Sequence, residues 1–128
     1  MTSPVVLCAP VRTPIGAYGG ALKDMKAPAL GSVAIAETLR RAGVGADNID
    51  SVVMGQVVQA GAKMNPARQA AINAGLRDSA PAMTVNRVCG SGAQAIASAA
   101  QEIMLGLGQA VIAGGMLARS DLKKLVTN

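Results

Sequence analysis

The chain has 128 residues, about the length of one domain, with 51% hydrophobic and 15% charged residues, which excludes an intrinsically disordered chain. The formal net charge is +5, but the basic residues are scattered and Tyr18 is the single aromatic residue, which argues against a nucleic-acid-binding surface. Histidine is absent, so the most frequent general base and a favoured metal ligand are both missing.

The first predicted element is a strand at residues 5–9, an apolar run of strand length that Pro10 ends. A loop rich in proline and glycine follows at residues 12–20. A helix is then predicted from Pro28 to a glycine cap at Gly43. Its apolar residues form one stripe at helical spacing: Leu30, Val33, Ala34, Leu39 and Ala42.

The second predicted strand covers residues 51–55, and a second helix begins with Asn65 as its N-cap and Pro66 in its first turn. A third strand at residues 82–86 leads into an alanine-rich helix. A fourth strand covers residues 110–113. This alternation predicts an α/β fold with a mostly parallel sheet in βαβαβαβ order and helices on its faces.

The alanine-rich helix is apolar around nearly its whole circumference between Ala93 and Leu105. A small sheet can bury only one face of such a helix. We therefore expect another domain or subunit to cover the opposite face.

Cys89 is placed at the turn between the third strand and this helix. The N-terminal end of a helix favours a thiolate, which is the nucleophilic form of cysteine. The alternative is a small buried cysteine that fills the junction between helix and sheet. Asn86 and Arg87 either orient Cys89 or end the strand. Cys8, inside the first predicted strand, is interpreted as structural, and the two cysteines match no metal-binding spacing, so no metal site is expected.

The segment from Gly90 to Ala95 also fits the pattern G-x-G-x-x-A of dinucleotide-binding turns. The acidic residue that this motif needs after the next strand is missing, because that strand ends at Gly114 and Gly115. A cytoplasmic location is expected, since no secretory signal is recognisable and the uncharged stretch 103–118 is too short to span a membrane.

Four motifs in this order resemble the thiolase family, which includes acetyl-CoA acetyltransferase. They are Arg12-Thr-Pro-Ile-Gly16 with Gly19-Gly20, Met54-Gly-Gln-Val57, Asn65-Pro-Ala-Arg-Gln-Ala-Ala71 and Asn86-Arg-Val-Cys-Gly-Ser-Gly92. The resemblance implies that Cys89 is the nucleophile that accepts an acyl group, with its backbone N–H in an oxyanion hole. It also implies acetyl-CoA or another acyl-CoA as substrate, formation or cleavage of acetoacetyl-CoA, and no bound cofactor.

The resemblance also indicates what this sequence lacks. A complete thiolase has a second, similar half that carries a catalytic histidine and a second catalytic cysteine, and neither is found here. We therefore expect an incomplete N-terminal thiolase domain at residues 1–116 and a divergent tail at 117–128, scarcely active alone. Its expected partner is a second copy or a complementary C-terminal half. The competing interpretation is a non-catalytic chain that only binds other thiolase chains.

Overall fold

The computed structural model describes residues 4–118, and it confirms the predicted α/β class with a parallel sheet and helices. The described elements, in chain order, are α1 (Ala27–Ala42), a short 3₁₀ turn (Ala46–Asn48), β1 (Ser51–Gly55), α2 (Pro66–Asn73), β2 (Ala82–Val85), α3 (Ser91–Met104) and β3 (Val111–Gly115).

The three described strands form a parallel sheet in the order β2-β1-β3. All five residues of β1 are buried, as expected for a central strand with a neighbour on each side and helices on both faces. Gly55 at the end of β1 lies opposite Val85 on one side and Gly115 on the other. The carboxyl ends of all three strands therefore meet at one edge of the sheet.

Side chains alternate between the two faces of β1, and this alternation creates two cores. Val52 and Met54 belong to the larger core, which α1 and α2 cover. Val53 points to the other face, where it packs with Ala95 and Ala99 of α3. Among the described elements, α1 and α2 thus lie on one side of the sheet and α3 lies on the other.

The ends of α1 agree with the sequence prediction. Pro28 lies in its first turn, where its missing N–H is not needed. Gly43 adopts the left-handed conformation at φ 64° and donates its N–H to the carbonyl oxygen of Leu39. The neighbouring carboxylate of Glu37 pairs with Arg40 and Arg41 on the exposed surface.

At the opposite edge of the sheet, where the strands begin, Asp50 stabilises the arrangement through hydrogen bonds. One oxygen of its carboxylate accepts the backbone N–H groups of Gln109 at 2.7 Å and Ala110 at 3.1 Å. These two hydrogen bonds, with a smaller contribution from Arg77, hold the pKa of Asp50 below its ordinary value. The residue before β1 therefore ties it to the segment that leads into β3.

The predicted opening strand at residues 5–9 is wrong. The segment pairs with no strand within residues 4–118, and Val6 and Leu7 are 80% and 76% exposed. An apolar run becomes a strand only where a neighbouring backbone can complete its hydrogen bonds, and β2 and β3 do not pair with it. Three strands are therefore described instead of four, and Cys8 is exposed instead of lying inside a strand.

Helix α3 buries only the face that lies on the sheet, at Ser91, Ala95 and Ala99. Its opposite face is apolar and open, with Ile96 39% and Met104 44% exposed. The expected covering domain or subunit remains a prediction, and so does the division at residue 116, because residues 119–128 lie outside the described part. Within residues 4–118 the longest apolar helices are too short to cross a membrane.

Candidate functional site

Cys89 lies on the turn that joins β2 to α3, at the edge of the sheet where the strands end, and it is exposed. The preceding residue, Val88, has φ 50°, in the left-handed region. A β-branched side chain rarely adopts this conformation, and its cost is on the order of 1–3 kcal/mol. The surrounding contacts must therefore hold the turn in place.

Ser91, the first residue of α3, fixes one side of the turn. Its buried hydroxyl donates to the carbonyl oxygen of Val88 at 2.6 Å and accepts the backbone N–H of Arg87 at 2.8 Å. The backbone N–H of Ser91 donates to the same Val88 carbonyl at 3.1 Å. A hydroxyl that both donates and accepts thus closes the four-residue loop around Cys89.

Asn86 fixes the other side of the turn. Its Oδ1 accepts the N–H of Val88 at 3.0 Å, and its Nδ2 donates to the carbonyl oxygen of Val57 at 3.0 Å. The sequence left open whether Asn86 orients the turn or only ends the strand. The structure places it one residue beyond β2 and in contact with both the turn and the loop after β1.

Arg87 has a different environment from Asn86. Its guanidinium donates to Oε1 of Gln94, and Nε2 of Gln94 donates to the hydroxyl of Ser98 at 3.0 Å. The side chain of Arg87 therefore follows the first turns of α3. It contacts Gln94 on the exposed side of this helix, and Cys89 remains open to solvent.

The position of α3 depends on glycines at the strand ends. A Cβ built on Gly55 would lie 2.5 Å from the carbonyl carbon of Ser91 and 2.8 Å from the backbone nitrogen of Gly92. A Cβ on Gly115 would lie 3.3 Å from the Cα of Gly92. Backbones can approach this closely only where side chains are absent. The glycines therefore bring the start of α3, and with it Cys89, directly onto the edge of the sheet.

The loop after β1 is held by a buried glutamine, Gln56, which the sequence analysis placed in the motif at residues 54–57 without giving it a role. Gln56 is 1% exposed, and its Nε2 donates to the carbonyl oxygen of Val58 at 2.7 Å. Its backbone N–H donates to the carbonyl oxygen of Val85 in β2 at 3.0 Å. Within residues 4–118, Oε1 of Gln56 has no hydrogen-bond partner. Two sequence signals mark Gln56: it directly follows a buried strand, and it belongs to the motif at residues 54–57.

A cavity of about 520 Å³ lies elsewhere, between the loop at residues 13–23, Leu30 of α1 and residues 117–118. Its lining is mostly apolar and includes Tyr18 and Lys23. None of the lining residues belongs to the turn around Cys89. The cavity is therefore separate from the candidate site, and no sequence motif predicted it.

Comparisons with known proteins show the family to which this chain belongs. The family model described as the thiolase N-terminal domain matches residues 5–127. The chain is 51% identical to an acetyl-CoA acetyltransferase of Cupriavidus necator over 111 residues. The matched region is 87% of this chain and 28% of that protein. It is 48% identical over 124 residues to a Staphylococcus aureus protein named probable acetyl-CoA acyltransferase. The matched region is 97% of this chain and 32% of that protein.

Among solved structures, the crystal structure of the Bacillus anthracis acetyl-CoA acetyltransferase matches with a TM-score of 0.82 at 43% identity, over 86% of this chain and 28% of that chain. The parallel α/β unit of this chain is therefore shared with part of a solved acetyl-CoA acetyltransferase. The chain belongs to the thiolase family and matches its N-terminal domain. It spans 28% and 32% of the length of the two curated relatives.

Proposed function

We propose that this chain is the nucleophile-bearing N-terminal part of a thiolase-type acyltransferase, with Cys89 as the residue that accepts the acyl group from an acyl-CoA. The observation that carries the proposal is the position of Cys89 in a thiolase-family chain: exposed, on a turn fixed from both sides, at the edge where three strands end. A reactive nucleophile needs this combination of access and fixed orientation.

In the proposed step, the Cys89 thiol gives its proton to solvent, and the sulfur attacks the carbonyl carbon of the acyl-CoA thioester. A bond forms between this carbon and Cys89, the bond to the CoA sulfur breaks, and CoA takes up a proton and leaves as a thiol. One thioester replaces another, so the step needs no oxidant, reductant or additional cofactor.

The second step transfers the acyl group from Cys89 to another acyl-CoA, or back to CoA. Carbon–carbon bond formation requires removal of a proton from the carbon next to the acceptor's carbonyl group. The chain contains no histidine, and its other cysteine, Cys8, lies in the exposed opening segment. We therefore expect this chain to form the acyl-enzyme but not to complete turnover unless a second half supplies the base.

Reconstitution with a separate second half tests this proposal. The purified chain is mixed with the C-terminal part of the Cupriavidus necator acetyl-CoA acetyltransferase, and acetoacetyl-CoA cleavage by CoA is followed. Turnover that is restored by the wild-type chain and by Cys8→Ser, but not by Cys89→Ser, supports the proposal. A stable complex that contains folded wild-type chain and shows no turnover contradicts it.

The alternative, a non-catalytic chain that only binds other thiolase chains, is favoured by one observation. The open face of α3 exposes Ile96 and Met104, with Ala93 and Ala97 beside them. Such a face is typical of a contact surface. A complex with Cys89 unreactive would favour this alternative, and acyl transfer through Cys89 would exclude it.

A further inference from the structure

We propose that Asn86 is a positioning residue for Cys89, acting by holding Val88 in its left-handed conformation. The inference rests on the proposed function, because Asn86 can position a nucleophile only if Cys89 is one. It goes further by assigning the orientation of Cys89 to one side-chain amide, three residues earlier in the chain.

Both the backbone N–H and the backbone carbonyl oxygen of Val88 are hydrogen-bonded. Ser91 binds its carbonyl oxygen through both the hydroxyl and the backbone N–H. Within the described residues, Asn86 provides the only side-chain acceptor for the N–H of Val88, at 3.0 Å. If this hydrogen bond is lost, Val88 can rotate away from φ 50°, and the attached Cys89 moves with it.

The other end of the Asn86 amide provides a fixed reference point. Its Nδ2 donates to the carbonyl oxygen of Val57, 29 residues away in the chain. This carbonyl follows Gln56, which is buried and bonded to both Val85 and Val58. Asparagine is needed for this pair of contacts, because an aspartate could accept from Val88 but could not donate to Val57.

Four variants separate this role from a general effect on folding: Asn86→Ala, Asn86→Asp, Val88→Gly and the double variant Asn86→Ala with Val88→Gly. The rate of Cys89 acetylation by acetyl-CoA is followed by peptide mapping, with circular dichroism and thermal unfolding as the fold check. Amide hydrogen exchange at residue 88, followed by NMR, reports the turn independently of acetyl-CoA.

We expect Asn86→Ala to acetylate Cys89 at least about tenfold more slowly, since a displacement of about 1 Å can cost about a hundredfold in rate. Asn86→Asp should lie between this variant and the wild type. Glycine adopts φ 50° without strain, so the double variant should recover most of the lost rate. Exchange at residue 88 should become at least about tenfold faster in Asn86→Ala.

Two results would overturn the inference: wild-type acetylation in folded Asn86→Ala, or a slow single variant that Val88→Gly does not rescue. If the wild-type chain itself takes no acetyl group at Cys89, the proposed function fails. In that case, the hydrogen-exchange rate at residue 88 still tests the contact between Asn86 and Val88. An unchanged rate in Asn86→Ala refutes the claim that Asn86 fixes Val88, whereas a faster rate supports that claim without a role in catalysis.

Discussion

Gly55 and Ser91 meet backbone to backbone: a Cβ on Gly55 would lie 2.5 Å from the carbonyl carbon of Ser91 and 2.6 Å from its carbonyl oxygen. The central strand of the sheet therefore ends directly beneath the first residue of α3. Because Ser91 also binds the Val88 carbonyl, this contact connects the sheet to the turn that carries Cys89.

Gly55→Ala should destabilise the chain by about 1–3 kcal/mol, because the added methyl group meets backbone atoms that cannot rotate away. Chemical denaturation with urea measures this change through the midpoint of unfolding. Gly45→Ala is a matched control, since a Cβ there meets only the side chain of Asn48 at 3.5 Å. Equal effects of the two substitutions would contradict the close contact between β1 and α3.

Asn65 combines a left-handed backbone at φ 43° with three side-chain hydrogen bonds. Its oxygen accepts from the N–H of Arg68 and the hydroxyl of Thr84, and its nitrogen donates to the carbonyl of Ala82. Asn65→Ala loses both the bonds and the favoured conformation, so we expect a loss of about 1–2 kcal/mol.

Asn65→Gly serves as the comparison for this prediction, because glycine keeps the left-handed backbone and loses only the side-chain bonds. Its stability in urea should lie between those of the wild type and Asn65→Ala. If glycine and alanine destabilise the chain equally, the conformation at Asn65 contributes nothing measurable.

Glu37 should make stability depend on pH in the acidic range. Hydrogen bonds from Arg40, and then from Arg41, lower the pKa of Glu37 from 4.5 to about 2. A lowered pKa in the folded state gives stability that is present above pH 4.5 and is lost as the pH falls towards 2. The stability difference between the wild type and Glu37→Gln should therefore shrink over this range.

The effect of Glu37 should be small, because exposed ion pairs are screened by water and salt. Urea midpoints at pH 6, 4 and 2.5 measure it, and Asp24→Asn controls for the loss of one negative charge in a residue that has no ion pair within residues 4–118. A constant difference between wild type and Glu37→Gln at all three pH values would refute the role of these hydrogen bonds.

A substitution on the open face of α3 should affect association with a partner chain more than it affects the stability of the fold. Ile96→Glu should change the unfolding free energy by less than about 0.5 kcal/mol, since Ile96 is already 39% exposed. It should weaken association with a C-terminal thiolase half, as measured by analytical ultracentrifugation. Val33→Glu, at a 56% exposed position on α1, is the matched control and should leave association unchanged.

Much of the fold was predictable because each element carries local signals. The glycine after α1 and the Asn65-Pro66 pair before α2 fix helix ends through conformations that few other residues favour. Residues 51–55 were predictable as a buried strand from their continuous apolar run. The opening segment has the same kind of apolar run, but pairing is a property of its neighbours, which the local sequence does not contain.

The candidate site was predictable only in part. Its location followed from the strand, the turn glycines and the helix that surround Cys89. The conformation of Val88 was not predictable, because a β-branched residue locally disfavours a positive φ. Hydrogen bonds with Asn86 and Ser91 hold it there in the folded chain. The role of Asn86 depends on Val57, 29 positions away, so it required the folded arrangement.

Acetylation of the purified chain tests the central claim most directly. The chain is incubated with acetyl-CoA, digested and analysed by mass spectrometry, with the exposed Cys8 as an internal control and Cys89→Ser as the blank. An acetyl group confined to Cys89 is the predicted result, because the turn around this cysteine is built entirely within the described residues. Acetylation of neither cysteine, or of Cys8 and Cys89 to the same extent, would contradict the assignment of Cys89 as the nucleophile.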